Sequence, residues 1–264
     1  MKVQGKVFVV TGGGNGIGRQ VVLELLGRGA SVAAIDISSS GLEETARIAG
    51  HPSRLSIHQA NISELHRVEE LPSEVTNKHG HVDGVVNVAG IIQPFVRVND
   101  LDYTSIERVM NVNFYGLLYV TKSFLPLLLA RPEAHLCNVS SMGAYAPVPG
   151  QSVYGASKAA VKLLTEGLYA ELLDTKVGVT LVFPGATATD IAGNSGIHME
   201  MPADAPAMKT MLPTETARLI VDGIESNAYH VFAGSDAKMM DKLARYMPNR
   251  VAKIIYKQMK SLLK

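Results

Sequence analysis

The chain has 264 residues, 47% hydrophobic and 19% charged, enough for one large core and too apolar for a disordered chain. A formal net charge of +1 gives no global attraction to nucleic acid, and the single cysteine, Cys137, excludes an intrachain disulfide. The balance conceals an asymmetry: no acidic residue follows Asp241, whereas seven basic residues do, leaving −6 on residues 1–241 against +7 on the tail.

Strand-like and helix-like segments alternate along the chain. Lys6–Val10 reads as a first strand, followed by a glycine cluster and a helix over Ile17–Arg28, with Val21, Val22, Leu25 and Leu26 on one stripe. Ser31–Ile35 and Arg54–His58 are the next strands, and Ser63–Lys78 the next helix. Gly84–Asn87 leads to a long helical segment over Asp102–Arg131, and His135–Val139 to a helix over Ser152–Asp174. Gly178–Phe183 and His230–Phe232 flank a helix over Thr214–Glu225. Near-continuous apolar runs of this length suit strands covered on both faces. The alternation predicts a single Rossmann-like, doubly wound α/β domain over 1–235, with helices on both faces of a parallel sheet.

Two segments break the rhythm. Ile191–Leu212 holds Met199, Met201, Met208 and Met211 among glycines and prolines and reads as an apolar flap. Residues 236–264 read as a basic helical tail, interrupted before Pro248. There Arg250, Lys253, Lys257, Lys260 and Lys264 share one face, and Val251, Ile255, Met259 and Leu262 the other. Such a helix is expected either to touch a membrane surface or to dock on a neighbouring copy. The apolar stretch Leu117–Ala130 is interrupted by Lys122, Ser123 and Pro126, which argues against a membrane span. The start of the chain carries no signal-peptide pattern, so a cytoplasmic location is expected, with peripheral membrane association if the tail binds lipid.

After the first strand comes Thr11-Gly12-Gly13-Gly14-Asn15-Gly16-Ile17-Gly18. Glycines let backbone approach a pyrophosphate, and the first amides of the following helix meet its charge. The spacing is G-x-x-x-G-x-G at Gly12, Gly16 and Gly18, and no Gly-Lys-Ser/Thr follows, which excludes a Walker A loop. The second strand leads into Asp36. A carboxylate there accepts hydrogen bonds from both adenosine ribose hydroxyls and repels a 2′-phosphate, and neither Asn15 nor Ile37 supplies a cation for one. NAD is therefore expected ahead of NADP.

Tyr-x-x-x-Lys occurs at Tyr154–Lys158 and at Tyr256–Lys260. Only the first follows a strand end bearing Ser140-Ser141, where an α/β sheet opens its ligand crevice. The second lies in the basic tail and reads as a surface coincidence.

Together these residues, with Asn87-Val88-Ala89-Gly90, Asn113 and Pro184-Gly185 with Thr189, resemble the short-chain dehydrogenase/reductase family over residues 5–235. The resemblance implies a seven-stranded sheet in the order 3-2-1-4-5-6-7 and a homodimer or homotetramer. It implies a catalytic set of Asn113, Ser141, Tyr154 and Lys158. The implied cofactor contacts are Thr11, Gly12, Asn15, Gly16, Ile17, Gly18, Asp36, Asn61, Ile62, Asn87, Ala89, Gly90, Tyr154, Lys158, Pro184, Gly185 and Thr189. Asn61 stands where the family commonly has Asp, and its amide oxygen is expected to accept from the adenine amino group. Val88 replaces the family's second Asn.

The expected chemistry is acid–base. An ammonium beside Tyr154 and an oxidised nicotinamide both favour phenolate, so Tyr154 takes the alcohol proton as hydride leaves. Ser141 steadies the substrate oxygen, and the resemblance gives Asn113 a water that relays protons from Lys158. The methionine-rich flap suggests a lipophilic secondary alcohol or ketone, such as a sterol, retinoid or fatty derivative. His79-Gly80-His81 lacks partner ligands, and no catalytic metal is expected. An NADPH-dependent carbonyl reductase is opposed by Asp36, and a non-catalytic nucleotide-binding scaffold or sensor by the intact Asn, Ser, Tyr and Lys set.

Overall fold

The computed structural model describes residues 1–146, 148–197 and 210–260. Seven parallel strands form one sheet in the order β3-β2-β1-β4-β5-β6-β7. They are β1 (Val7–Thr11), β2 (Ser31–Asp36), β3 (Leu55–Gln59), β4 (Gly84–Asn87), β5 (Ala134–Val139), β6 (Val177–Pro184) and β7 (His230–Ala233). Successive side chains leave a strand on opposite faces, and the core divides accordingly. Phe8, Val10, Val32 and Ala34 meet Val21, Val22 and Leu25 of α1 (Gly16–Gly27) and Ile220 and Ile224 of α8 (Pro213–Glu225). Val9, Ala33, Ile35 and Val85 meet α3 (Leu65–His79), α5 (Leu117–Leu129) and α6 (Ser152–Glu171). The chain runs β1, β2, β3 to one side and returns through β4 on the other. That reversal opens a crevice at the carboxyl edge between β1 and β4. At the opposite edge, fully buried Asp83 accepts from the Val7 amide at 2.9 Å and from Arg131 Nε at 2.7 Å.

All strand ends lie within one residue of the sequence expectation, β7 running on to Ala233 as β6 does to Pro184. Helix α2 (Ser39–Ile48) is not among the helices expected from the sequence, because just Leu42, Thr45 and Ala46 are buried along it. The helix expected over Asp102–Arg131 is three joined pieces: α4 (Tyr103–Met110), a π-helical turn at Asn111–Gly116, and α5. The stretch Tyr103–Leu129 is long and apolar enough to cross a membrane by length and composition alone. Val120, Phe124 and Leu128 are nevertheless fully buried against the sheet.

The tail forms α9 (Ser235–Tyr246) and α10 (Pro248–Met259), broken at Met247 ahead of Pro248. Val251 and Ile255 are buried on Ala146, with Met142, Tyr145, Met240, Leu243 and Met259 packed around them. Of the apolar face that the sequence offered to a membrane or a neighbouring copy, Val251, Ile255 and Met259 are thus packed on the chain's own loop after β5. Apolar surface finds the nearest apolar partner, and here that partner is intramolecular. The Tyr145 hydroxyl donates to the Ala237 carbonyl at 2.7 Å and ties the same loop to α9. Leu262 and Lys264 lie outside the described residues, as do Met199, Met201 and Met208 of the flap. Of the flap methionines, Met211 is described and bridges in parallel to Thr187.

Candidate active site

The carboxyl edge holds a cleft of ≈ 910 Å³ that runs from the glycine loop past Tyr154 and Lys158 to Met259. The glycine loop follows β1 directly. Gly12 has φ +72°, and a Cβ there would lie 3.0 Å from the Ala89 backbone. A Cβ on Gly18 would drive into the Gly12 carbonyl oxygen. These two positions admit only glycine because backbone meets backbone, and Gly16, Ile17 and Gly18 line the cleft where α1 begins. Thr11 lies behind this wall: its hydroxyl accepts from the Val88 and Ala89 amides at 3.1 and 3.3 Å. Asn15 caps α1 through its Oδ1, which accepts from Gly16 N at 2.7 Å. Its Nδ2 donates to Asn194 Oδ1 at 3.0 Å, at the end of α7 (Ile191–Asn194) where the flap begins.

Asp36 stands at the end of β2 and lines the cleft. Its Oδ2 accepts from Gly14 N and its Oδ1 from Ser38 N, each at 2.9 Å. A carboxylate has about four acceptor sites, so capacity for two ribose hydroxyls remains. Arg19 also lines the cleft and was not singled out from the sequence. Its guanidinium is turned onto the Gly14 and Gly41 carbonyls and Thr45 Oγ1, which pins the loop to α2. Its place one residue past the last motif glycine was the only signal.

Three expected site residues have other work. Asn61 lines the cleft, but its Oδ1 already accepts from the Ser63 amide at 3.1 Å and the Ser63 hydroxyl at 2.7 Å. Both lone pairs are used in a turn, so the adenine amino group needs another acceptor. Asn87 is buried beneath the cleft, and its Nδ2 donates to Asn138 Oδ1 and Thr121 Oγ1. Asn113 does not hold out its side chain for a water. Its Oδ1 accepts from Ile91 N at 2.8 Å, and its Nδ2 donates to Ile91 O at 2.9 Å and Ser157 Oγ at 3.0 Å. It clamps the loop after β4 from within the π-helical turn. Ile62, Ala89, Gly90, Pro184, Gly185 and Thr189 all line the cleft, and Thr189 faces Gly16 across it.

Ser141, Tyr154 and Lys158 come together. Ser141 follows β5, and its Oγ accepts from Gly143 N at 3.0 Å. Tyr154 sits in the first turn of α6, and its ring and Ser141 Oγ both lie beside Gly143, where a Cβ would come within 3.3 Å of the ring and 3.5 Å of that oxygen. Lys158, one turn on, is 4% exposed and donates from Nζ to the Val139 carbonyl at 3.1 Å. A Cβ on Gly90 would come within 3.1 Å of that Nζ, so backbone at the cleft floor passes close to the lysine head. By contrast Tyr256, the other half of the second Tyr-x-x-x-Lys pair, is exposed on α10.

The electrostatics differ from expectation. Burial raises the Tyr154 phenol above its ordinary value, and the Ser141 hydrogen bond pulls it back. Burial lowers Lys158 to about 8. In the protein alone desolvation is the largest influence on the phenol.

A cleft at the switch point of a parallel sheet, floored by a glycine turn and walled by a tyrosine, a serine and a buried lysine, defines a dinucleotide-binding oxidoreductase. The family model described as short chain dehydrogenase matches residues 6–200, and the chain belongs to that short-chain dehydrogenase/reductase family. The chain is 34% identical over 266 residues to the putative oxidoreductase SadH of Mycobacterium tuberculosis, covering 96% of this chain and 94% of that protein. Its fold is similar to a short-chain dehydrogenase/reductase from Burkholderia phymatum in complex with NAD, with TM-score 0.83 and 22% identity over 92% of this chain and 94% of that one. It is also similar to a short-chain dehydrogenase from Burkholderia cenocepacia in complex with NADP, with TM-score 0.81 and 24% identity over 97% and 99%.

Proposed function

We propose that the chain is an NAD(H)-dependent oxidoreductase that interconverts a lipophilic secondary alcohol and its ketone. The observation that carries this reading is the convergence of Ser141, Tyr154 and buried Lys158 on one cleft, with the tyrosine and the lysine one turn apart on α6. The site fits a nicotinamide dinucleotide: the glycine turn leaves no room for a Cβ, and the Asp36 carboxylate keeps acceptor capacity. When bound, that group accepts hydride in oxidation and donates it in reduction. Tyr154 then removes the alcohol proton, or returns it to the carbonyl oxygen in the reverse direction. Ser141 donates to the same oxygen and stabilises its developing charge. Lys158 holds positive charge at the foot of the site, and Asn113 fixes the floor beneath it through Ile91.

Asp36 supports NAD over NADP, since Arg19 is tied down and leaves the carboxylate uncompensated beside a 2′-phosphate. Asp36→Asn keeps an oxygen for Gly14 N and removes the charge. It is expected to lower the preference for NAD over NADP, as a ratio of kcat/KM values, at least about tenfold, or 1.4 kcal/mol. An unchanged ratio sinks this account of cofactor choice.

Lipophilicity of the substrate is supported by Ile91, Ile92, Phe95, Val112 and Met259 along the cleft. Met259→Gln is expected to raise KM for a lipophilic alcohol by roughly tenfold with little change in kcat, the signature of lost apolar binding. A spectrophotometric screen of alcohols with NAD at mildly alkaline pH tests the whole reading. Faster turnover of a sugar alcohol than of every lipophilic alcohol defeats the substrate class. No turnover of any alcohol, and none of ketones with NADH, defeats the activity. Exposed Leu163 on α6 and Leu129 on α5 support association into a homodimer or homotetramer.

A further inference from the structure

The helix that carries Tyr154 lacks a cap of its own. Gln151 occupies the N-cap position of α6, and its side chain makes no cap hydrogen bond. Its Nε2 instead donates to the Gln93 carbonyl at 2.6 Å. The first amides of a helix have no intrahelical acceptor and need one when they are buried. Here the acceptor comes from a distant loop. Gln93, fully buried after β4, turns its Oε1 onto Val153 N at 2.8 Å and Tyr154 N at 3.0 Å. Two N–H donors can meet only the oxygen of an amide, so the orientation of this side chain is determined.

Resting on the reading of Tyr154 as the acid–base group, we propose that Gln93 is the positioning residue that sets the Tyr154 phenol against Ser141 and the substrate oxygen. Gln93 holds the tyrosine's own amide, and it belongs to the loop whose Ile91 backbone Asn113 grips from both sides. Cleft floor and acid–base group therefore move as one body. The neutral amide matters as well. A carboxylate would cap the helix more strongly, being attracted to its positive end. It would also place a buried negative charge next to the tyrosine that must become phenolate, and so oppose that ionisation. Gln93 supplies the acceptor without the charge. The cost is visible: Gln93 Nε2 and Gln151 Oε1 are a buried donor and a buried acceptor with no partner among the described residues. Evenly partnered groups would be more stable, and the arrangement keeps the capping oxygen instead.

Two variants test this. Gln93→Met keeps the length and removes the acceptor. Gln93→Glu keeps the acceptor and adds charge. Gln93→Met is expected to lower kcat about 10- to 100-fold, as a small misplacement of a reacting group does. Its Kd for NADH, read by fluorescence, should stay within roughly threefold of wild type. Gln93→Glu is expected to recover most of kcat at high pH, with the pKa governing kcat moved up by at least about half a unit. Lowered melting temperatures in both variants, with kcat and the pH profile as in wild type, would show a purely structural cap and overturn the proposal. Should Gln93→Met fail to fold, Gln93→Glu decides alone: a shifted profile supports the proposal and an unshifted one overturns it. A wild-type protein without turnover would instead fault the proposed activity, so the two failures are distinguishable.

Discussion

Tyr154→Phe is expected to lower kcat by about 10²–10⁴-fold, the range for losing a positioned acid–base group. NADH binding should change by no more than roughly threefold, because the ring stays and only the hydroxyl goes. The protein should melt within a few degrees of wild type. The lost hydroxyl lies at the cleft near Ser141, whose Oγ keeps its bond from Gly143 N. The net loss there is about 1 kcal/mol. Stopped-flow or steady-state absorbance of NADH measures turnover, and fluorescence titration measures binding. A variant that binds NADH and turns over at more than a tenth of the wild-type rate would remove Tyr154 from the chemistry. A non-catalytic dinucleotide-binding protein predicts no difference between the two, because neither would turn over.

Lys158→Met should change activity and stability in opposite directions. Turnover falls, again by about 10²–10⁴-fold, because the only buried cation at the site is lost among the described residues. Stability of the cofactor-free protein rises. The physical reason is the direction of the lysine's shift. Burial lowers its pKa from 10.5 to about 8, so the folded state binds the proton less tightly than the unfolded state does. Below pH 8 the lysine is charged in both states, and folding bears the full desolvation cost, on the order of 3 kcal/mol. Between about 8 and 10.5 the folded protein sheds the proton first, stability rises with pH, and the cost disappears. Methionine avoids the cost but leaves the Val139 carbonyl without its donor, which returns about 1–2 kcal/mol. The expected net gain at pH 7 is about 1–2 kcal/mol, roughly 2–8 °C in Tm. Melting curves from pH 6.5 to 10 should show the two proteins converging as pH rises. A variant less stable than wild type at pH 7 would mean that the ammonium is better satisfied than its single carbonyl contact implies.

The strands and the glycine turn were legible because each carries a local signature. A strand covered on both faces is mostly apolar, and β1, β4 and β5, buried at every position, read that way despite Thr11, Asn87, His135 and Asn138. Gly18 is required by its contact with Gly12 in the same turn and Gly12 by its own φ of +72°, so their spacing speaks in the chain itself, although Gly12 also meets distant Val88 and Ala89. Asp36 was legible as the acidic end of a strand. Helix α2 was not, since a helix buried along so little of its length leaves weak periodicity. The π-helical turn at Asn111–Gly116 was equally hidden, because a widened turn has no residue preference comparable to proline or glycine.

The roles of side chains divide in the same way. That Tyr154 and Lys158 lie one turn apart on a helix follows from their spacing. That Asn61 spends its oxygen on Ser63, and Asn113 its amide on Ile91, depends on which donors stand within about 3 Å, a matter of packing.

From order and spacing, the chain determined a parallel doubly wound sheet and a glycine turn after its first strand, while the choice of Ser141 with Tyr154 and Lys158 came from the family resemblance. Only the tertiary structure decided that α10 covers the loop after β5, that burial raises the phenol, and that an amide from the loop after β4 caps the tyrosine's helix. Periodicity and spacing are written along one segment at a time. Desolvation and hydrogen-bond partnership belong to pairs of segments far apart in the chain, and folding alone brings them into contact.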